Sequence, residues 1–319
     1  MRSFRSEFAA DLKAFLSFKR SIGYGYLRAE FTLHDFDRFA CEQAHRRGGL
    51  RLDDAILAWL ASRPGRKPVS VTNELGVLRQ FCLHRRRLHP STPVPGRVWA
   101  PQSTQSKFLP YVFTDAQVVE LVRRATSLGR PAFRGAVFRA LLLILYCTGV
   151  RFGEALRLRM RDVDMDRKLF FITESKGRSR WVPFDRSLAR ELEKYIEARC
   201  VHAAAEPDDR FFVGADRRRL PTNTAWHTIS GLLRQAGLKP ASGRVGPRPY
   251  DFRHTFAVHR LIRWYRAGVD INARLPWLSA YMGHDNLLGT ERYLTATPEL
   301  MATAGRRLEQ LLTRRSHKP

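Results

Sequence analysis

The chain has 319 residues, of which 44% are hydrophobic, and a formal net charge of +26. This length favours two domains with buried cores, and the charge favours a nucleic acid as the partner, because each neutralised phosphate releases counterions. A basic solvated surface and a ribosome-associated protein are the alternatives that charge alone leaves open. The composition argues against a disulfide framework, a structural zinc site and a membrane-spanning helix, because the four cysteines are far apart and the most apolar run covers only residues 140–147. We therefore expect a cytoplasmic protein.

Apolar residues recur at helical spacing over residues 1–90 and predict a bundle of four helices with short links. The second helix is expected to begin after Thr32, a candidate N-cap. Basic residues gather before and at the end of the fourth helix and predict a face that contacts DNA phosphates. These residues are Arg66, Lys67, Arg85, Arg86 and Arg87. The alternative is ordinary capping of a helix C-terminus by cations.

Residues 91–113 are rich in Pro, Ser, Thr, Gln and Gly and predict an extended linker. Thr114 and Gln117 then form a capping box that opens a second domain. Helices are predicted over residues 115–128, 136–146, 152–161, 185–203 and 222–235. The β signal is one hairpin, with strands at 169–173 and 180–184. The predicted fold class is therefore mainly α with a small antiparallel β-sheet.

Residues 248–293 hold the most informative stretch of the second domain. Asp251 is predicted to cap a helix that begins at Phe252, which puts Arg253 in the first turn. Exposed N–H groups and the helix dipole favour a phosphate at such a turn, and a guanidinium beside them could bind two phosphate oxygens. This turn is therefore a candidate anion site.

A second short helix in this stretch is predicted to end at Gly283 in a left-handed conformation. Its buried side carries Leu275, Leu278 and Met282. His284 is then held by a rigid turn just past the C-cap. Tyr293 follows nine residues later in a polar segment, from which a tyrosine could reach outward.

Arg151 and Lys176 are two further cations that are candidates for a role in the chemistry. Arg151 follows a glycine at a break in a buried helix, a costly place for a cation unless an anion meets it; an ion pair with Glu154 is the equally weighted alternative. Lys176 lies at the hairpin tip of a chain with 47 arginines and nine lysines. Because lysine can lose its proton and arginine effectively cannot, a proton-donating role would require lysine. The alternative is that Lys176 is an exposed residue of the hairpin tip without such a role. The neighbouring predicted DNA contacts at the hairpin are Arg178 and Arg180.

The order T-G-x-R-x-x-E, a hairpin-tip lysine, D-x-R-H-T-F-A, G-H and a tyrosine nine positions on resembles the tyrosine recombinase (phage integrase) family. TGVRFGEALRLRMRDVD looks like the first arginine box of the family, and YDFRHTFA with YMGHDNLLGTERY looks like the second. The resemblance covers residues 114–297, about three-fifths of the chain.

This resemblance implies a site-specific recombinase or integrase that cleaves and rejoins duplex DNA through a 3′-phosphotyrosine. It implies no metal, ATP or other cofactor, and a mobile genetic element in a prokaryotic, nucleoid-associated setting. Every candidate catalytic residue has an implied role: Arg151 and Arg253 clamp the scissile phosphate, His284 donates a hydrogen bond to it, Lys176 protonates the leaving 5′-oxygen, Tyr293 is the nucleophile and Glu154 supports the site.

The resemblance also implies a domain plan and an assembly. Residues 1–90 would be the DNA-clamping core-binding domain, 91–113 the linker and 114–297 the catalytic domain. Residues 298–319 would form a C-terminal helix exchanged between the subunits of a dimer or tetramer on DNA, with packing on its own domain as the alternative. No membrane is involved.

Tyr250 departs from the family pattern, which usually has histidine, sometimes lysine, three residues before the second arginine. Phenols titrate near pH 10 and are poor proton acceptors at neutral pH. We therefore expect Tyr250 to orient the phosphate, while Tyr293 gives its proton to water or to the phosphate. His254 and His259 are interpreted as structural. Two alternatives remain open: a non-catalytic DNA-binding relative acting as an accessory or regulatory protein, which Tyr250 favours, and a topoisomerase.

Overall fold

The computed structural model describes residues 3–48, 51–96, 99, 110–129, 132–175, 178–243, 245–284, 302 and 305. The chain divides into two compact units, Met1–Phe108 and Leu109–Pro319. The described residues are mostly helical with one small antiparallel sheet, which confirms the predicted fold class. Within these ranges, helices that combine the length and the apolarity needed to cross a membrane are absent.

The first unit is built from helices that pack around large aromatic side chains. Phe15 meets Phe81 edge-on at 5.8 Å between ring centroids, and Phe36 meets Trp59 at the same distance. The helices are α1 (Ala9–Ser21), α2 (Leu27–Arg47), α3 (Leu52–Ala61) and α4 (Pro68–Arg85). These elements match the predicted bundle.

The predicted start of α2 after Thr32 is wrong, because the helix already begins at Leu27. Tyr26 precedes it in a left-handed conformation, with φ of 49°, and packs edge-on against Phe15 at 5.7 Å. This contact lies six residues before Thr32, which therefore falls inside the helix. Local capping preference was overruled by aromatic packing.

The second unit begins with a segment that is already part of its core. Phe113 is fully buried and stacks on Phe252 at 4.5 Å, although it lies within the predicted linker. Thr114 then accepts from the backbone N of Gln117 at 3.2 Å, and the Gln117 side chain accepts from the Thr114 N at 3.1 Å. The predicted capping box is thereby confirmed.

Among the described residues, the helices of the second unit agree with the predicted ones in all but one case. They are α5 (Asp115–Thr126), α6 (Ala132–Thr148), α7 (Phe152–Ala155), α8 (Arg186–His202), α9 (Thr222–Gln235), α10 (Asp251–Arg266) and α11 (Ile271–Met282). α10 packs against both α6 and α11. This packing brings the end of α6 close to the start of α10.

The helix predicted over residues 152–161 is wrong beyond α7. From Leu158 onward the backbone pairs with a distant segment: Leu158 O accepts from Phe211 N at 2.8 Å, and Met160 N donates to Asp209 O at 2.9 Å. A single 3-10 turn, Met160–Asp162, follows. These long-range bonds replace the helical ones that the local pattern would allow.

The sheet has three antiparallel strands in chain order, β1 (Val163–Asp164), β2 (Leu169–Ser175) and β3 (Arg178–Pro183). The hairpin of β2 and β3 was predicted, whereas the two-residue β1 was missed. Phe170 opposes Val182, and both are buried on the face toward the helices. Ile172 opposes Arg180, which puts Arg180 in register with this inner face.

Candidate active site

The turn between α6 and α7 delivers Arg151 and depends on Gly149. Gly149 has a φ of +62°, and a Cβ at this position would lie 2.4 Å from the ring of Phe256. Both the left-handed backbone and the close ring therefore require glycine. Thr148 supports the turn by donating from Oγ1 to Ile144 O at 2.6 Å. The T-G-V-R order thus ends α6 and places Arg151 at the N-cap of α7.

Arg151 contacts both Glu154 and the far end of α11. Its Nη1 donates to Glu154 Oε1 at 2.7 Å, and its backbone N donates to Glu154 Oε2 at 2.8 Å. Its Nη2 donates to Gly283 O at 2.6 Å. The ion pair with Glu154, which was the alternative for Arg151, is therefore present. It holds the guanidinium toward α11 and is compatible with a contact between Arg151 and an anion.

Arg253 lies in the first turn of α10 as predicted, but it is buried, with 1% of its surface exposed. Its Nη1 donates to Gly149 O at 2.7 Å and its Nη2 to Met282 O at 2.6 Å. Asp251 does not cap the helix, which corrects the predicted start. Its buried carboxylate accepts from the backbone N of Arg248 at 2.7 Å, and it is already the first helical residue.

Arg180 is placed in the interior, which corrects its predicted role as a DNA contact. Its Nη2 and Nη1 donate to the two carboxylate oxygens of Glu154 at 2.8 and 3.2 Å, and its Nε donates to Tyr281 O at 2.9 Å. Only 12% of the side chain is exposed. The physical reason is its inward register on β3.

The end of α11 gathers these three arginines on consecutive carbonyls. Tyr281 O accepts from Arg180, Met282 O from Arg253 and Gly283 O from Arg151. The two preceding carbonyls are satisfied by the backbone of the turn itself, from Gly283 N and His284 N, each at 3.0 Å. The last carbonyls of a helix lack intrahelical donors and carry the negative end of its dipole, so guanidiniums are stabilised there. We call these three residues the arginine cluster.

The arginine cluster keeps an excess of positive charge. Arg151 and Arg180 pair with the carboxylate of Glu154, whereas Arg253 donates to Gly149 O and Met282 O. The three guanidiniums and this one carboxylate carry a formal sum of +2, and the Glu154 side chain is 0% exposed. Bonds to neutral carbonyls orient a cation without cancelling its charge. Guanidinium forks match the oxygens of a phosphate, so the arrangement suits a phosphodiester that approaches this turn.

Gly283 and Tyr281 fix the turn that precedes His284. Gly283 has the predicted left-handed conformation, with φ of +67°. Burial raises the pKa of Tyr281, so its hydroxyl stays protonated and donates to Pro183 O at 3.0 Å. His284 follows at once and is half-buried. The turn is therefore tied to β3 as well as to the arginine cluster.

The remaining predicted site residues of this unit have fewer described contacts or lie outside the described residues. Tyr250 is 39% exposed and meets the ring of His254 edge-on at 5.0 Å. His259 lies 3.3 Å from the hydroxyl of Tyr146 through its Nδ1. Lys176, Tyr293 and the side chain of Arg178 lie outside the described residues, as does the C-terminal segment apart from residues 302 and 305.

The basic residues predicted to contact DNA in the first unit lie at its surface. Arg66 pairs with Glu74, and Arg85 donates to Asp11 at 2.6 Å. Arg86 donates to Thr92 O at 3.0 Å and is otherwise exposed. The other two, Lys67 and Arg87, are also exposed. Their DNA contacts stay predictions.

Sequence reasoning missed the inner role of Arg180 and the carbonyls that gather the cluster. A signal for Arg180 was available, because strand side chains alternate and Arg180 shares the face of the buried Val182, two residues on. No comparable signal marked the carbonyls, since their arginine donors are 29 to 132 residues away in sequence.

Known proteins match the chain along most of its length. A model described as "Phage integrase family" matches residues 112–299. A candidate integrase/recombinase, y4rB of Sinorhizobium fredii, is 33% identical over 96% of this chain and 98% of its own length. The tyrosine recombinase XerC of Bacillus subtilis is 29% identical over 78% of this chain and 77% of its own length. Among solved structures, the Tn1549 transposon integrase in complex with transposon right end DNA shares the fold, with a TM-score of 0.66 and 14% identity over 95% of this chain and 99% of that one.

Proposed function

The chain belongs to the phage integrase family as a site-specific tyrosine recombinase, and from this premise we propose that the arginine cluster at the end of α11 is where it cleaves and rejoins DNA. The observation that carries this proposal is the convergence of Arg151 and Arg253 on adjacent carbonyls, at residues 283 and 282, directly before His284. Bound there, a scissile phosphate would meet two guanidinium forks and an imidazole. The preceding Gly149 and Gly283 turns hold these groups in place.

In the reaction, the Tyr293 oxygen attacks the phosphorus and the bond to the 5′-oxygen breaks. Lys176 gives a proton to that leaving oxygen, which becomes a free 5′-hydroxyl, and the DNA 3′ end stays on the enzyme as a phosphotyrosine. Arg151, Arg253 and His284 stabilise the charge that builds on the phosphoryl oxygens. Attack by a 5′-hydroxyl of another strand reverses the steps, so the phosphodiester energy is retained without ATP.

Tyr250 takes the position where the family usually has histidine. In this proposal its hydroxyl donates a hydrogen bond to the phosphate, and Tyr293 loses its proton to water or to the substrate phosphate. Half-exposure at the start of α10 is compatible with that contact. The departure at Tyr250 is also the one feature that favours the second candidate, a DNA-binding relative without catalysis.

The wider assembly is proposed on the same premise. Residues 1–90 act as the DNA-clamping domain through their basic surface, residues 91–113 link the domains and residues 114–297 carry the catalysis. Residues 298–319 dock on a neighbouring subunit of a dimer or tetramer on duplex DNA. A cytoplasmic, nucleoid-associated role with a mobile genetic element fits these parts, as the Tn1549 transposon integrase of similar fold is named for a transposon.

The test is covalent capture of DNA. The protein is incubated with a randomised pool of nicked duplexes and denatured, and DNA that remains attached is sequenced to identify the target. Tyr293→Phe should form no adduct while its affinity for the recovered duplex is unchanged, because only the nucleophilic oxygen is lost. Tyr24→Phe is the matched control, since Tyr24 is an exposed tyrosine of the first unit, and it should react like wild type.

Two results would contradict the proposal. An undiminished adduct with Tyr293→Phe would place the nucleophile elsewhere. A wild-type protein that binds duplex DNA but never becomes attached to it, while Tyr250→His does, would identify a DNA-binding relative whose catalysis has lapsed.

A further inference from the structure

We propose that Arg180 is a positioning residue of the strand-cleavage reaction, which holds Arg151 in its phosphate-binding orientation through Glu154 and the end of α11. The inference rests on the proposed function of the arginine cluster and adds a residue that touches no DNA. It replaces the surface role that the sequence indicated for Arg180.

The first support is the set of bonds made by the Arg180 guanidinium. Two nitrogens span both oxygens of Glu154, at 2.8 and 3.2 Å, and the third donates to Tyr281 O at 2.9 Å. All three nitrogens of the guanidinium therefore bind protein atoms. A bidentate bond to a carboxylate fixes the plane of both groups, so Arg180 sets the orientation of Glu154.

Glu154 in turn sets the orientation of Arg151. The carboxylate accepts from Arg151 Nη1 at 2.7 Å on the same oxygen that Arg180 Nη1 reaches, and from the Arg151 backbone N on the other oxygen. A fully buried carboxylate is costly unless it is paired and hydrogen-bonded. With Arg180 as the second cation, Glu154 need not be neutralised by Arg151 alone, which leaves the charge of Arg151 available to a phosphate.

The second support is that Arg180 joins three elements that carry separate candidate residues. Arg180 lies on β3 beside the hairpin tip, Glu154 lies in α7 next to Arg151, and Tyr281 lies in the last turn of α11, three residues before His284. The partners of Arg180 are 26 and 101 residues away in sequence. One side chain thus fixes the relative position of elements that the local sequence does not hold together.

The third support is the close approach of Arg180 to Gly283. A Cβ on Gly283 would lie 2.7 Å from Nη1 and 2.8 Å from the central carbon of the Arg180 guanidinium. The guanidinium therefore packs on the bare Cα of the residue whose carbonyl holds Arg151. A shift of Arg180 would therefore act on this turn, because the guanidinium is in close contact with Gly283 and only 12% of its side chain is exposed.

Lysine could not make the same set of bonds. Its ammonium is a point charge, whereas the planar guanidinium of Arg180 presents a fork to Glu154 and a further N–H to Tyr281 O. Arg180→Lys keeps the charge and loses the fork. We therefore expect this variant to fold, to bind DNA normally and to cleave slowly, with a rate between those of wild type and Arg180→Met.

The test uses the full-length protein and the duplex recovered by covalent capture. Arg180→Met should lower the rate of adduct formation at saturating DNA about 10- to 100-fold, the range expected when a catalytic group is displaced by about 1 Å. The dissociation constant for DNA should not change. Arg139→Met is the matched control, because Arg139 pairs with Glu191 at 2.7 Å in the same unit and lies outside the cluster.

A double-variant measurement separates positioning from a general loss of structure. If Arg180 acts through Arg151, Arg180→Met should add little to the defect of Arg151→Lys, whereas independent effects would multiply. Thermal unfolding of each variant is followed in parallel. If Arg180→Met fails to fold, Arg180→Lys replaces it in the measurements of cleavage rate, DNA affinity and the double variant with Arg151→Lys.

Three outcomes would overturn the proposal. Wild-type cleavage rates in both Arg180 variants would show that the orientation of Arg151 does not depend on Arg180. Weaker DNA binding with an unchanged rate at saturation would make Arg180 a DNA contact. Multiplicative defects with Arg151→Lys would show that Arg180 acts separately. In each of these three outcomes wild type and Arg139→Met still form the adduct, so the proposed function stands and only the role of Arg180 is wrong. If wild type forms no adduct, the proposed function and the role of Arg180 are both wrong.

Discussion

The arginines of the two units are held in different ways. In the first unit Arg85 pairs with Asp11 at 2.6 Å, and Arg63 pairs with Asp35 at 2.8 Å, both partly exposed to solvent. In the second unit each arginine of the cluster donates to a backbone carbonyl at the end of α11, and Arg151 and Arg180 share the single carboxylate of Glu154. A carboxylate neutralises the cation that it orients, whereas a carbonyl orients it and leaves its charge available. The comparison teaches that burial and bonding partner, more than charge, separate a surface arginine from one prepared for a ligand.

The two arrangements also differ in what their removal should cost. Solvent-exposed ion pairs contribute about 0–1 kcal/mol to stability. Removing a buried donor leaves its acceptor without a partner, at about 1–3 kcal/mol for each group. Variants of the cluster should therefore affect both folding stability and catalysis, while variants of the first unit should affect neither strongly.

The largest effect is expected for Arg253, which is 1% exposed. Arg253→Lys keeps a positive charge but cannot reach both Gly149 O and Met282 O, so adduct formation should fall about 100- to 1000-fold, the range for loss of one oriented donor to a developing oxyanion. Stopped reactions with the captured duplex and thermal unfolding give the two readouts. Arg20→Lys is the matched surface variant, because Arg20 pairs with Glu30 at 2.7 Å in the first unit and is outside the predicted DNA contacts, and it should change neither. Equal, small effects of both substitutions would remove the distinction between the two groups of arginines.

An intermediate effect is expected for Gly283, and Gly237 provides its control. Both have left-handed backbones, with φ of +67° and +70°, but a Cβ would meet Arg180 at Gly283 and would meet nothing within 4 Å at Gly237. Each alanine variant should lose about 1–2 kcal/mol of unfolding free energy from the backbone strain alone. Only Gly283→Ala should also slow cleavage, because it displaces Arg180 and the carbonyl that holds Arg151. Equal cleavage rates would show that the close contact with Arg180 has no catalytic consequence.

The smallest effect on catalysis is expected for the exposed basic end of α4. Arg86→Gln combined with Arg87→Gln should leave the cleavage rate at saturating DNA unchanged. If each arginine neutralises one phosphate, the slope of log affinity against log salt should become shallower by about 2. A binding titration at several salt concentrations measures this slope. An unchanged slope would exclude these side chains as phosphate contacts.

Features defined by neighbouring residues were predictable from the sequence. The capping box at Thr114, the span of α9, the β2–β3 hairpin and the left-handed Gly283 each follow from a local pattern of capping, periodicity or backbone freedom. Arg151 could be placed at a helix break for the same reason. Its pairing with Glu154 followed from their separation of three residues.

Features that depend on distant partners were not predictable. The chain leaves the helical path after Ala155 because residues 158–161 pair with residues 207–211. Arg253 is buried because the end of α6 and the end of α11 supply its two carbonyl acceptors, 104 and 29 residues away. Propensity cannot report contacts of this kind, which is why Arg253 was expected beside an exposed helix start and is instead buried against α11.

The most direct measurement of a phosphate site at the end of α11 is the structure of Tyr293→Phe bound to the captured duplex. The expected result is a scissile phosphate whose non-bridging oxygens lie about 2.7–2.9 Å from guanidinium nitrogens of Arg151 and Arg253, with Arg180 still bound to Glu154. A scissile phosphate bound elsewhere, with the three arginines donating only to Gly149, residues 281–283 and Glu154, would contradict it.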